Sequence, residues 1–222
     1  MRPKIGFLTI GQAPRKDVLS DIRPILGPEI EIIERGALDG LSLEEIEALR
    51  PGKNDFPLIT RLKDETTAIV GKRKILFLIQ QQVSSLEREN TRLTALLCTD
   101  DFPEIQSSKL LLSPYRILLN TVTSIMKKGR LAVLAPLEEQ NESLKKKWQK
   151  TGLEIIIENL NPYQESSESD RIIEGIKENQ VSLVVLDCIG YSIKLKEKIN
   201  RATEKPVLLP RSILAGWIKE LI

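Results

Sequence analysis

Two stretches decide the reading of this chain: LTALLC, residues 93–98, and LVVLDC, residues 183–188. Each is an almost unbroken apolar run of strand length that ends on a cysteine, and these are the only two cysteines present. Apolar runs without alternation predict strands covered on both faces, as in a parallel sheet. Five more runs fit: residues 5–10, 30–34, 131–135, 154–158 and 207–209. Between them the apolar spacing becomes helical. Helices are expected over 14–26, 72–90, 138–150, 167–179, 192–203 and 211–221, with another opening at Ser113-Pro114. Ser42 and Glu45 form a capping-box pattern ahead of Leu43, Ile46 and Leu49. One segment breaks the alternation. Within residues 57–70, LITRL and TTAIV flank the polar turn Lys63-Asp64-Glu65, which predicts an inserted hairpin.

Strand–helix alternation implies right-handed crossovers and a largely parallel sheet, so the class is α/β and doubly wound. Ligands of such sheets bind beyond the carboxyl ends of the strands. Those ends carry Gly11-Gln12, Cys98-Thr99, Pro136, Asp187-Cys188 and Pro210-Arg211. Both cysteines stand among them. The two halves then divide as residues 1–112 plus 211–222 and residues 113–210, with a cleft between them.

Composition narrows the chemistry. The chain has no histidine, which removes Ser-His-Asp and Cys-His nucleophile pairs and His-ligated zinc. Two cysteines cannot complete a tetrahedral structural metal site, and no metal or other cofactor is expected. Lys and Arg number 33 against 31 Asp and Glu, without a basic stripe, so a nucleic-acid partner is not expected. No apolar run reaches the ~20 residues of a membrane span, and the first ten residues lack a signal-peptide core. Two free thiols fit the reducing cytoplasm. Self-association as a homodimer stays open.

If a pseudo-twofold axis relates the halves, equivalent strand ends face one another across the cleft. The thiols of Cys98 and Cys188 would then flank a bound carbon centre, one removing a proton and the other delivering one. The plainer alternative is that each is a small buried hydrophobe. TIGQAPR, residues 9–15, runs from the first strand into a helix, and its backbone amides with Gln12 and Arg15 could hold a carboxylate. It lacks the glycines of a dinucleotide fingerprint. Arg116 and Arg211 could each clamp an anion. Asp187 could orient an amine or instead bond backbone, and Tyr191 could donate a hydrogen bond. The run Lys145-Lys146-Lys147 reads as the solvated face of a helix anchored by Leu144 and Trp148.

These stretches resemble the AroM family. The likeness is carried by RPKIGFLTIGQAPR (2–15), RGALDGL (35–41), LLCTDDFP (96–103), LLSPYRIL (111–118), VVLDCIGY (184–191) and PVLLPRSIL (206–214). It implies the fold of the aspartate/glutamate racemase superfamily: two pseudo-symmetric doubly wound lobes whose paired cysteines act as acid and base. On that resemblance Cys98 and Cys188 are the catalytic pair. Gln12 and Thr99 would touch a substrate carboxylate or amine; the reading of the strand ends and their loops sets Gly11, Arg15, Asp100, Pro136, Gly190, Tyr191 and Arg211 around them. Two departures stand out. Asp100 occupies the position where the family often has glycine, and Ile189-Gly190 follows the second cysteine in place of the Cys-Thr-His or Cys-Thr-Glu continuation. The reading that results is a racemase or isomerase of a small carboxylate-bearing molecule. The alternative is a non-catalytic protein binding or sensing such a molecule in the same cleft.

Overall fold

The strand β1 (Lys4–Thr9) is almost wholly buried, and it pairs in parallel with β2 (Glu31–Gly36) on one side and β5 (Leu93–Leu97) on the other. A short β6 (Leu110–Leu112) extends the sheet beyond β5, giving the order β2-β1-β5-β6. The second half repeats this arrangement. There β7 (Arg130–Ala135) is flanked by β8 (Glu154–Asn159) and β9 (Leu183–Leu186), and β10 (Val207–Leu208) lies outside β9. Every pairing in both sheets is parallel. In each sheet the first strand is central, the second lies on one side and the third on the other. Cys98 follows β5 and Cys188 follows β9, so both cysteines end the third strand of their sheet. This computed structural model describes residues 2–164 and 168–222.

Helices cover both faces. On the first sheet these are α1 (Lys16–Leu26), α2 (Leu43–Ala48) and α3 (Lys72–Arg88). On the second they are α4 (Pro114–Ile125), α5 (Asn141–Gln149), α6 (Glu168–Glu178) and α7 (Ile193–Thr203). The helix expected over 167–179 is α6; residue 167 lies outside the described residues. The capping box forms as expected, with the Glu45 amide donating to Ser42 Oγ and the Ser42 amide to Glu45 Oε2. The helix expected from Pro14 starts two residues later, at Lys16. β6 had no counterpart in the sequence reading: three leucines are too short a run to show any period. The last helix, α8 (Pro210–Leu221), follows the second sheet but packs on the first, with Leu214, Ala215 and Ile218 against Phe7, Val18 and Ile22. Among the described residues no helix is long and apolar enough to cross a membrane.

The inserted hairpin is β3 (Pro57–Arg61) and β4 (Thr67–Gly71), paired antiparallel. It is seated by the loop after β1. The Gln12 amide donates to the Arg61 carbonyl, and the Lys63 amide donates to Gln12 Oε1. Gly11 permits this approach, because a Cβ there would lie 2.3 Å from both Arg61 O and Thr60 Oγ1. From the other half, Gln140 Nε2 donates to the Pro57 carbonyl. The hairpin therefore spans both sheets.

The halves also meet where a buried ion pair of the second half bonds to Thr99 of the first. Lys147 is 5% exposed and Asp187 2%, and the Lys147 ammonium lies 2.8 and 2.9 Å from the two carboxylate oxygens. Lys147 also donates to the Thr99 carbonyl, just past β5, while Trp148 Nε1 donates to Asp187 Oδ2 at 2.7 Å. Thr99 Oγ1 donates in turn to the Asp187 carbonyl. This corrects the reading of Lys147 as solvated. Lys145 and Lys146 are exposed, but Lys147 shares the inner face of α5 with Leu144 and Trp148.

Removing one partner of such a pair strands the other charge in a dry interior. Lys147→Met is expected to lower unfolding stability in urea by about 3–5 kcal/mol. Adding Asp187→Asn, which leaves an acceptor for Trp148, is expected to restore most of it; a loss under about 1 kcal/mol in the single variant would contradict this account. Gly11→Ala is expected to lift the hairpin. Limited proteolysis should then cut within residues 62–66 faster than in the parent protein while the circular dichroism stays native-like; unchanged cleavage would contradict it.

Candidate active site

The strand ends of both sheets and the hairpin enclose one cavity of about 40 Å³. Ile10 and Arg15 reach it from the loop after β1, and Leu97, Cys98, Thr99 and Asp100 from the end of β5. The second half supplies Pro136 after β7, Gln140 and Leu144 at the start of α5, Tyr163 after β8, and Asp187, Cys188 and Ile189 after β9. Phe56, Leu58, Ile59 and Thr60 close it from the hairpin side. Cys98 and Cys188 are both free thiols and both line this space.

Each thiol receives a backbone N–H from two residues further on. Gly190 N lies 3.4 Å from Cys188 Sγ, and the Asp100 amide serves Cys98. Burial dominates both sulfurs and favours the neutral form. It pushes the Cys188 pKa up to about 11, with the Gly190 amide and the charges of Arg15 and Arg211 pulling the other way. Cys98 is pushed higher still by burial and by the adjacent Asp100, against weaker help from its amide and Lys72. The two thiols are thus unequal: Cys188 gives up its proton more readily.

The charged groups at the cavity are paired. Arg15 is 2% exposed and spends its fork on Asp17, at 2.8 Å from Nε and 2.7 Å from Nη2. Its Nη1 donates to Thr9 Oγ1, and Nη2 also reaches the Tyr163 hydroxyl at 3.2 Å. Burial alone would raise the Asp17 pKa, but the Arg15 contacts outweigh it and leave the carboxyl below its ordinary value. Asp100 lies 2.8 Å from Lys72 Nζ, and burial nonetheless raises its pKa. Burial also raises the Tyr163 pKa, so its phenol stays neutral near pH 7. Among the described residues no group of three or more His, Cys, Asp or Glu side chains is placed to hold a metal ion.

Of the residues singled out in the sequence, Cys98, Cys188, Arg15, Thr99, Asp100, Pro136 and Asp187 line the cavity. Five have other work. Gly11 and Gln12 seat the hairpin, and Gln12 Nε2 is held by the Leu38 carbonyl. Gly190 packs against the Tyr163 ring, where a Cβ would come within 2.8 Å. Tyr191 is buried with its hydroxyl donating to the Leu160 carbonyl at 2.6 Å. Arg211 is also buried, and it staples α8 to α1 and to the loop of the second cysteine. Its guanidinium donates to Asp21 Oδ2, Asp17 O and Ile189 O. Arg15 reaches the cavity but does not offer a free fork, because Asp17 already occupies it. Arg116 is exposed and lies outside the cavity lining.

Thr60, Gln140 and Tyr163 line the cavity without having been singled out. The strand-end rule would have reached Tyr163 had it been applied to β8. Nothing in the sequence of the hairpin indicated which sheet edge it covers.

The fold is shared with solved structures of low sequence identity. Allantoin racemase from Klebsiella pneumoniae superposes with a TM-score of 0.69 at 13% identity, over 99% of this chain and 87% of that one. An aspartate racemase from Picrophilus torridus gives 0.65 at 12% identity, over 99% and 94%. Unliganded arylmalonate decarboxylase gives 0.62 at 13%, over 99% and 91%. No curated protein sequence gives a significant match. The family model described as AroM protein matches residues 5–222, and the chain belongs to that family.

Proposed function

We propose that the protein is a cofactor-independent racemase or isomerase of a small carboxylate-bearing molecule, with Cys98 and Cys188 as its acid–base pair. One observation carries this reading: the cysteines end equivalent strands of two equally wound sheets and line the same buried cavity. Relatives by fold that are named as racemases lend it support.

In this scheme the thiolate of Cys188 removes the α-proton. The C–H bond breaks, an S–H bond forms and the electron pair passes into the adjoining carboxylate. The Cys98 thiol then delivers its own proton to the opposite face of the carbon. The net result is inverted configuration and one proton moved from the Cys98 sulfur to the Cys188 sulfur, and the reverse reaction exchanges the roles. In this reading the Tyr163 hydroxyl meets the carboxylate, because Thr99 Oγ1 spends its proton on the Asp187 carbonyl. The buried, largely apolar lining strengthens each of these interactions.

A second reading, a non-catalytic ligand-binding protein, draws on a different observation. Burial holds both thiols in their neutral form, and a base must be ionised to act.

Solvent deuterium incorporation separates the two. A panel of amino acids, hydroxy acids and dicarboxylates in heavy water is expected to yield at least one compound labelled at the α-carbon by the parent protein. Cys98→Ser and Cys188→Ser are each expected to lower its racemisation by about 10²–10⁴-fold. No labelling across the panel by folded protein would favour the binding reading. The pH profile provides an independent check. Because the Cys188 pKa lies near 11, the thiolate fraction falls tenfold per unit below it. The kcat/KM value, which reports the free enzyme, is therefore expected to rise close to tenfold per unit from about pH 7 to about pH 10. A flat profile over that range would contradict Cys188 as the base.

A further inference from the structure

Among the described cavity-lining residues, Asp100 Oδ2 has only its ion pair with Lys72, and one buried polar side-chain atom has neither a hydrogen bond nor an ion pair, that of Thr60. It is 1% exposed and sits on β3 of the inserted hairpin, and its Oγ1 lacks a partner in the protein. A buried hydroxyl without a partner is costly, and a ligand that pairs with it recovers that cost on binding. The same hairpin contributes Phe56, Leu58 and Ile59 to the wall, so it brings both an apolar surface and a single polar contact.

The charges at the site point the same way. Among the described residues Arg15 is the only cationic one of the cavity lining, and its fork is occupied by Asp17. The other two charged lining residues among those described, Asp100 and Asp187, are acids, already matched by Lys72 and Lys147. Among the described lining residues no cation is uncommitted, so any carboxylate brought in rests on uncharged donors, and a second one repeats an expensive burial. The rest of the wall is mostly apolar, with Thr60, Thr99, Gln140 and Tyr163 as its uncharged polar side chains.

We infer that the inserted hairpin sets substrate choice, with Thr60 as a ligand-contacting residue. The ligand is then a compact monocarboxylate that carries an alkyl group and one further hydrogen-bonding group, not a dicarboxylate. This deepens the reading of the cavity as a substrate site and rests on it, but binding alone tests it, whether or not the cysteines turn the ligand over.

Three probes that share a four-carbon chain separate the terms. Butanoate lacks the hydroxyl, 2-hydroxybutanoate has it, and malate replaces the terminal methyl with a second carboxylate. Calorimetric titration of the parent protein is expected to show 2-hydroxybutanoate binding at least tenfold more tightly than malate. Thr60→Val, close to isosteric, should weaken 2-hydroxybutanoate by about three- to tenfold and leave butanoate within twofold. Thr60→Ser, which keeps the hydroxyl, should stay within about threefold of the parent protein for 2-hydroxybutanoate, with thermal unfolding confirming that both variants are folded. Malate binding as tightly as 2-hydroxybutanoate, equal losses for both monocarboxylates in Thr60→Val, or no binding of any probe would each overturn the inference. Binding as expected without α-proton exchange would leave it standing and count against the racemase reading alone.

Discussion

The buried contact between Lys147 and Asp187 ties the site together. Its ammonium also holds the Thr99 carbonyl, so one charged group fixes the residue after Cys98 and the residue before Cys188. Two sheets joined only by apolar surface could slide relative to each other with little change in energy. Hydrogen bonds from this ion pair to Thr99 of the other half have a narrow geometric optimum, because each unmet donor or acceptor in a buried interior is penalised. Trp148 and Thr99 complete the network from either side. The positions of both sulfurs relative to the cavity follow from this junction.

The hairpin is the second constraint, and it explains why the loop after β1 does not behave as its sequence suggested. Glycine and glutamine beyond a central strand are the residue types that commonly meet a ligand. In this protein Gly11 makes room for Thr60 and Arg61, and Gln12 bonds to both hairpin strand end and turn. Polar groups that would otherwise face an open cleft are spent on a cover. The cavity beneath is correspondingly apolar and its charges are internally paired, which leaves burial as the main influence on both thiols.

Much of the fold was legible because its signals are local. Unbroken apolar runs marked the strands of both sheets apart from β6, and the capping box at Ser42 marked the start of α2. The cysteines were found because they end strands, and strand ends are where an α/β sheet binds ligands. What stayed hidden depended on contacts distant in the chain. Arg211 and Tyr191 have the chemistry of ligand-binding groups, yet each is satisfied by a carbonyl that no sequence pattern places beside it. Lys147 is a different case. Leu144, Lys147 and Trp148 fall at i, i+3 and i+4, so helical spacing already put the lysine on the buried stripe. Two exposed lysines before it disguised the position. A charged residue on an apolar stripe is a sign of a buried partner, and Asp187 was that partner.

The central claim is that the two sulfurs face each other across one cavity, and a short bifunctional thiol reagent tests it without knowledge of the substrate. The protein would be treated at alkaline pH with one equivalent of a small bis-bromoalkyl compound and analysed by peptide mass spectrometry. The expected product is a single bridge joining the Cys98 and Cys188 peptides, absent in either Cys→Ser variant. Separate single-ended adducts on the two cysteines, with no bridged species, would contradict the account.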